Sequence, residues 1–190
     1  MSNKDKQNGF GLVEVLVALL VILVGLLGLA AVQMKASQAE MESFQRTQAL
    51  ILVEDMVNRI RSNSAFATCY ELPRFEIDSM GTGYAVPDPD PDDDEGDIVI
   101  TGCNLLTDRD LLQWNNLLIG AAEDLDGVAV GAMIGARGCI ELSANIYTVT
   151  IAWQGLAPTT EPDNACGEDE YGDERLRRTV SHSFLIGNLI

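Results

Sequence analysis

Basic side chains are scarce: 12 Lys and Arg stand against 29 Asp and Glu, a formal net charge of −17 over 190 residues. A phosphate-binding surface needs clustered cations, so this balance excludes a nucleic-acid interface and suits an acidic, exported domain. Histidine occurs once, as His182. A glycine-rich phosphate loop, an H-E-x-x-H pair and a nucleophile elbow are all missing, which removes the usual sequence grounds for an enzyme or a cofactor. Proline does not occur before Pro73, nor glycine from 29 to 72, so nothing breaks a helix over that stretch. No C-x-x-C pair occurs, and Cys69, Cys103, Cys139 and Cys166 lack the paired short spacings of a structural zinc site. In an exported domain, an even number of separated cysteines reads as two disulfides. Three connectivities are possible, and the pairing of sequence neighbours, Cys69–Cys103 with Cys139–Cys166, is favoured.

What is abundant is an apolar run near the N-terminus. From Phe10 to Val32 the sole charge is Glu14. As a helix these residues measure about 34 Å, enough to span the hydrocarbon core. The leader "MSNKDKQNG" (1–9) carries Lys4 and Lys6 against Asp5, a weak positive-inside signal that puts the N-terminus in the cytoplasm. The run is longer than that of an ordinary secretory signal, and no A-x-A triplet follows it until residues 65–67, so the segment is retained. A carboxylate inside it costs about 2.5–3.5 kcal/mol. Cleavage between Gly9 and Phe10 would make Glu14 the fifth residue of the mature chain, near a helix N-terminus. The macrodipole there contributes only about 0.3–1 kcal/mol. A positive amine, its own or a neighbouring chain's, is the partner that closes the gap.

The stretch "GFGLVE" (9–14) followed by this apolar helix resembles the class III signal of type IV pilins. The resemblance implies that a prepilin peptidase cuts after Gly9 and methylates Phe10. It further implies that Glu14 pairs with the N-terminal amine of a neighbouring subunit during assembly. Of the 12 basic and 29 acidic residues, cleavage removes two and one, leaving 10 and 28 and a formal charge of −18.

Beyond the run the helix continues. Met41, Phe44, Leu52, Val53, Met56, Val57 and Ile60 recur at helical spacing, with charged residues mostly between them. The single helix from Phe10 to Arg61 is about 78 Å long. "DIVIT" (97–101) is a strand candidate. Residues 107–125 read as a helix capped by Thr107 and Asp108. "GCIEL" (138–142) and "NIYTVTIAWQG" (145–155) read as a hairpin, with Tyr147, Val149, Ile151 and Trp153 on one buried face, and 176–186 as a final strand. The expected fold is α+β, a long N-terminal helix packed on an antiparallel sheet in a pilin-like roll. The organisation is a leader at 1–9, a transmembrane helix at 10–32, its amphipathic continuation at 33–66 and a globular region at 67–190.

"QALILVEDMVNRIRSN" (48–63), "DLLQWNNLL" (110–118) and "YTVTIAWQG" (147–155) before a basic terminal strand resemble PilV-type minor pilins. This implies a low-abundance structural subunit that helps prime assembly of a type IV pilus, at its tip. Its partners would be other minor pilins, the major pilin, the prepilin peptidase and the assembly platform of a bacterial inner membrane. The C-terminal domain would lie in the periplasm before incorporation. Three alternatives stay open: the I-type minor pseudopilin of a type II secretion system, a tip-displayed adhesin or binding module, and a signal-anchored periplasmic enzyme, which the lack of a catalytic constellation opposes.

Two acidic loops remain. In "PDPDPDDDEGD" (87–97), Asp88, Asp90 and Asp92 are oxygen ligands of the kind calcium takes. Counted from Asp88, however, the positions where an EF-hand has Gly and Glu hold Asp93 and Val99, and the prolines hold the loop extended. A solvated acidic loop is expected there and at 159–174. His182 is expected mid-strand beside Val180 and Phe184, with Ser181 and Ser183 on the opposite face, which is wrong for a serine–histidine pair. Arg59, Arg61, Arg175, Arg177 and Arg178 are read as screened surface partners of acidic groups.

Overall fold

The computed structural model describes residues 11–72, 77–84, 103–120, 124–125, 128–129 and 133–187. The chain divides into two compact units, Met1–Met41 and Glu42–Ile190, and one helix, α1 (Leu12–Ser62), runs through both. In the first unit the side chains of α1 are exposed throughout, in keeping with a segment suited to a non-aqueous surrounding.

The second unit is built on a four-stranded antiparallel sheet of order β1-β4-β5-β6. Its strands are β1 (Met80–Gly81), β4 (Arg137–Ser143), β5 (Ile146–Gln154) and β6 (Arg177–Leu185). Between β1 and β4 come α2 (Leu105–Leu118) and a small ribbon of β2 (Asp124–Leu125) and β3 (Val128–Ala129). A 3₁₀ segment, Ser64–Tyr70, follows α1. The fold is the expected α+β arrangement of a long helix on an antiparallel sheet.

The β4–β5 hairpin turns on two residues, Ala144 (φ 48°) and Asn145 (φ 68°), both left-handed as a tight hairpin with the sheet's twist requires. Tyr147, Val149, Ile151 and Trp153 form the buried row of β5, and Val180 and Phe184 continue that face on β6. Against it pack Ala49, Val53, Met56, Val57 and Ile60 of α1 and Leu111, Trp114 and Leu118 of α2. Gly138 makes the α2 contact possible: a Cβ there would lie 2.3 Å from the Trp114 ring.

Several sequence expectations are corrected. Met41 and Phe44 are 52% and 59% exposed, whereas Gln45 and Ala49 are buried, so the core-facing stripe of α1 is rotated from the one read by hydrophobicity. The helix expected over 107–125 spans Leu105–Leu118; Asn104 caps it by accepting the Thr107 N–H at 2.7 Å, and Gly120 (φ 71°) follows its end. Asp124–Leu125 is strand, not helix. The other face of β5 is not free either: Thr150 and Ala152 are buried, because the segment after β5 folds back over them. The strand candidate at 97–101 lies outside the described residues.

Two disulfides staple the second unit, Cys69–Cys103 and Cys139–Cys166. The second fastens the returning segment over β4 and β5, where Cys139, Ala152, Cys166 and Tyr171 form a small second core. Tyr171 Oη donates to Gly135 O at 2.8 Å and closes it. A double Cys139→Ser/Cys166→Ser variant frees a loop of 27 residues in the unfolded chain. By the chain-entropy relation it is expected to lose about 3.5 kcal/mol. The denaturant midpoint measures this, and new proteolytic cuts should fall between residues 156 and 172.

Candidate assembly site

Glu14 stands in the first turn of α1. Its N–H donates to Gly11 O at 2.9 Å, and the Val15 N–H reaches the same carbonyl at 3.4 Å. Val13, Val15, Leu16 and Val17 around it are all more than half exposed. The carboxylate therefore stands among exposed apolar side chains, a setting that is costly for a charge wherever water is excluded. Gly9 and Phe10 lie outside the described residues, as do Asp88, Asp90 and Asp92. Among the described residues no group of three or more His, Cys, Asp or Glu side chains is placed to hold a metal.

The second unit offers no catalytic grouping around its histidine. His182 Nδ1 lies 2.6 Å from Glu54 Oε1 on α1, and its ring meets Phe184 edge-on at 6.1 Å. Ser181 and Ser183 are on the opposite face, hydroxyl to hydroxyl with Thr150 (2.8 Å) and Thr148 (2.9 Å). These contacts tie β6 to its neighbours.

Two arginine clusters each combine a local carboxylate with partners distant in sequence, and the distant ones were beyond local pattern. Arg59 donates from Nε to Asp55 Oδ2 (2.8 Å) and from Nη1 to Asp110 Oδ1 (3.0 Å) and Gln113 Oε1 (2.8 Å). Tyr70 Oη donates to Asp110 Oδ2 at 2.5 Å and accepts from Asn63 Nδ2 at 3.1 Å. This network locks α1, the 3₁₀ segment and α2 together. Arg177 is 3% exposed, so it is not the screened surface partner expected of it. It donates to Glu174 Oε2 (2.5 Å) and to the carbonyls of Asn164 (2.5 Å) and Cys166 (3.2 Å), thereby shaping the acidic segment at 159–174 from inside. Arg178 reaches Glu42 Oε1 at 3.4 Å and also donates to Ala157 O.

Burial, and then the hydrogen bond to Asp110, push the Tyr70 phenol well above its ordinary value of 10.0. Burial does the same for Tyr171. Both therefore stay neutral when folded, while the unfolded chain ionises near pH 10. Their contribution is intact below pH 10 and is lost as pH rises beyond it, by up to about 1.4 kcal/mol per pH unit for each group. Alkaline unfolding curves are expected to flatten in Tyr70→Phe and Tyr171→Phe.

Comparison with known families bears on the N-terminal part of the chain. Residues 4–30 match the prokaryotic N-terminal methylation motif. Residues 31–78 match the family described as type IV pilin Tt1218. These matches, confined to residues 4–78, make the N-terminal part of the chain similar to type IV pilins, a family of structural subunits. Its motif implies processing by a prepilin peptidase and assembly into pili with other pilins, and its apolar helix fits membrane anchoring. No curated protein and no solved structure matches the chain.

Proposed function

We propose that this protein is a minor pilin of the PilV type, a low-abundance subunit that helps prime assembly of a type IV pilus and sits at its tip. The observation that carries the reading is the joint occurrence of the methylation motif, Glu14 in the first turn of α1 and an uninterrupted helix leading into a disulfide-stapled α+β domain. The precursor is stored in the inner membrane through residues 10–32, with its N-terminus in the cytoplasm and the region after the helix in the periplasm. Cleavage between Gly9 and Phe10 releases the leader, and Phe10 is methylated.

Glu14 then recruits the chain. Its carboxylate, costly in an apolar surrounding, is neutralised by the N-terminal amine of a neighbouring subunit, which favours one register of helix against helix over others. The second unit supplies specific contacts to other minor pilins. Its overall acidity favours partners of lower negative charge and disfavours self-association.

Immunogold labelling of an epitope-tagged chain on sheared pili tests the reading. Label at one filament end, together with co-purification of other minor pilins, is the expected result. Uniform label along the filament would remove the minor-pilin role, and co-purification with secretion-system pseudopilins instead would favour the I-type alternative.

A further inference from the structure

The four-stranded sheet has two unlike edges. The β4 side is partly closed: β1 pairs with Arg137 and Gly138, and the Leu72 N–H donates to Ile140 O at 3.1 Å. The β6 side is a nine-residue strand paired with β5 in constant register from Arg177 to Leu185, with no bulge and no proline. Backbone directions fix which groups face outward. The Gln154 N–H donates to Ile134 O (2.8 Å), away from β6, whereas the Gly155 N–H donates to Leu176 O (2.7 Å). Antiparallel alternation then turns the N–H and C=O groups of Thr179, Ser181, Ser183 and Leu185 to the free edge. Among the described residues no backbone hydrogen bond reaches them. Ser181 and Ser183 are exposed, and Leu185 is 65% exposed.

Natural sheets protect such an edge with lysines, prolines, bulges or a covering element, and a long regular one left open is a template for another chain's strand. The flank of α1 that runs beside β6 says what strand would fit. Glu42, Arg46, Leu50 and Glu54 recur every fourth residue along it, and contacts from Arg178 to Glu42 and from His182 to Glu54 hold this row over β6. Leu50 is 47% exposed and the Glu54 side chain 52% exposed.

We infer that the free edge of β6 docks an extended strand from a different, less acidic pilin subunit. The helix-facing row of that strand carries an apolar residue against Leu50 and a basic one against Glu54. A second copy of this chain is disfavoured by its formal charge of −17, or −18 after cleavage, since like charges meet across the seam. The inference rests on the assembly reading proposed above.

The test uses the full chain in its native membrane, with p-benzoylphenylalanine replacing Ser183 and, as a control, exposed Ile134. Illumination is expected to join position 183, and not 134, to a strand peptide of another pilin subunit, identified by mass spectrometry. Ser181→Pro removes one outward N–H without touching the β5 ladder and is expected to lower adduct yield about tenfold, while Ser181→Ala leaves it near wild type. Retained disulfides and an unchanged thermal transition establish that the proline variant is folded; if it is not, Ser183→Pro with the photoprobe moved to Leu185 takes its place. Adducts only between copies of this chain, equal adducts from both positions, or undiminished yield in the folded proline variant would overturn the inference. If wild type enters pili and Ser181→Pro enters equally well, the edge inference fails alone. If wild type never enters pili, the assembly reading fails and this inference falls with it.

Discussion

Glu14→Val is expected to leave cleavage and membrane insertion intact while lowering the amount of this chain in sheared pili about tenfold or more. The direction follows from two opposed terms. Valine relieves the cost of a carboxylate among apolar groups, about 2.5–3.5 kcal/mol, so the precursor should insert at least as readily as wild type. On the proposed assembly role it also loses the ion pair with a neighbour's amine, which in that role must be at least of that size for Glu14 to be tolerated, and a net loss of about 1.4 kcal/mol is already tenfold. Glu14→Gln separates charge from shape and should behave like valine. Quantitative immunoblots of membrane and pilus fractions measure the split, and wild-type amounts of Glu14→Val in the pilus fraction would contradict the role given to this carboxylate.

The second large effect is on stability. Trp114 is wholly buried between α1, α2 and β4, and its Nε1–H donates to the Leu52 carbonyl at 3.0 Å. Its ring lies over Gly138, where no side chain stands between helix and strand. Trp114→Ala removes the largest fully buried side chain and leaves a cavity that rigid neighbours cannot fill, a loss of about 3–5 kcal/mol. That is a large share of the roughly 5–15 kcal/mol that holds a domain folded. Thermal unfolding of the detergent-solubilised chain is expected at a Tm lower by about 10 °C or more. Trp114→Phe keeps most of the volume and should fall between the two. The reciprocal change, Gly138→Val, should be as harmful, because its side chain would occupy space already held by the Trp114 ring.

Legibility in the sequence followed the range of each interaction. The long helix could be read because apolar spacing without Pro or Gly is a local property, and the β4–β5 hairpin and β6 because alternation is local too. Glu14 stood out for the same reason, as a single charge in an apolar run. The stripe of α1 was misjudged at Met41 and Phe44 because hydrophobicity reports what side chains prefer, while the position of the sheet decided that Gln45 and Ala49 face inward. The cap of α2 was displaced from Thr107 to Asn104 because several residues there can accept the same N–H groups, and the backbone chose among them.

Arg177 shows the limit more sharply. In sequence it is one of several arginines near an acidic segment, a setting that ordinarily means a solvated pair. Its burial comes from the Cys139–Cys166 disulfide and Tyr171, which draw residues 156–172 across the sheet and leave the carbonyls of Asn164 and Cys166 in need of a donor. The Arg59–Asp110–Tyr70 network likewise joins residues 40 to 51 positions apart, and no spacing rule links them.

The central claim is that this chain becomes a pilus subunit only after Phe10 is made its N-terminus. Mass spectrometry of the protein isolated from membranes and from sheared pili tests it most directly. The expected N-terminal peptide begins with a methylated Phe10, in both fractions; an intact Met1 leader in the mature membrane protein would contradict it.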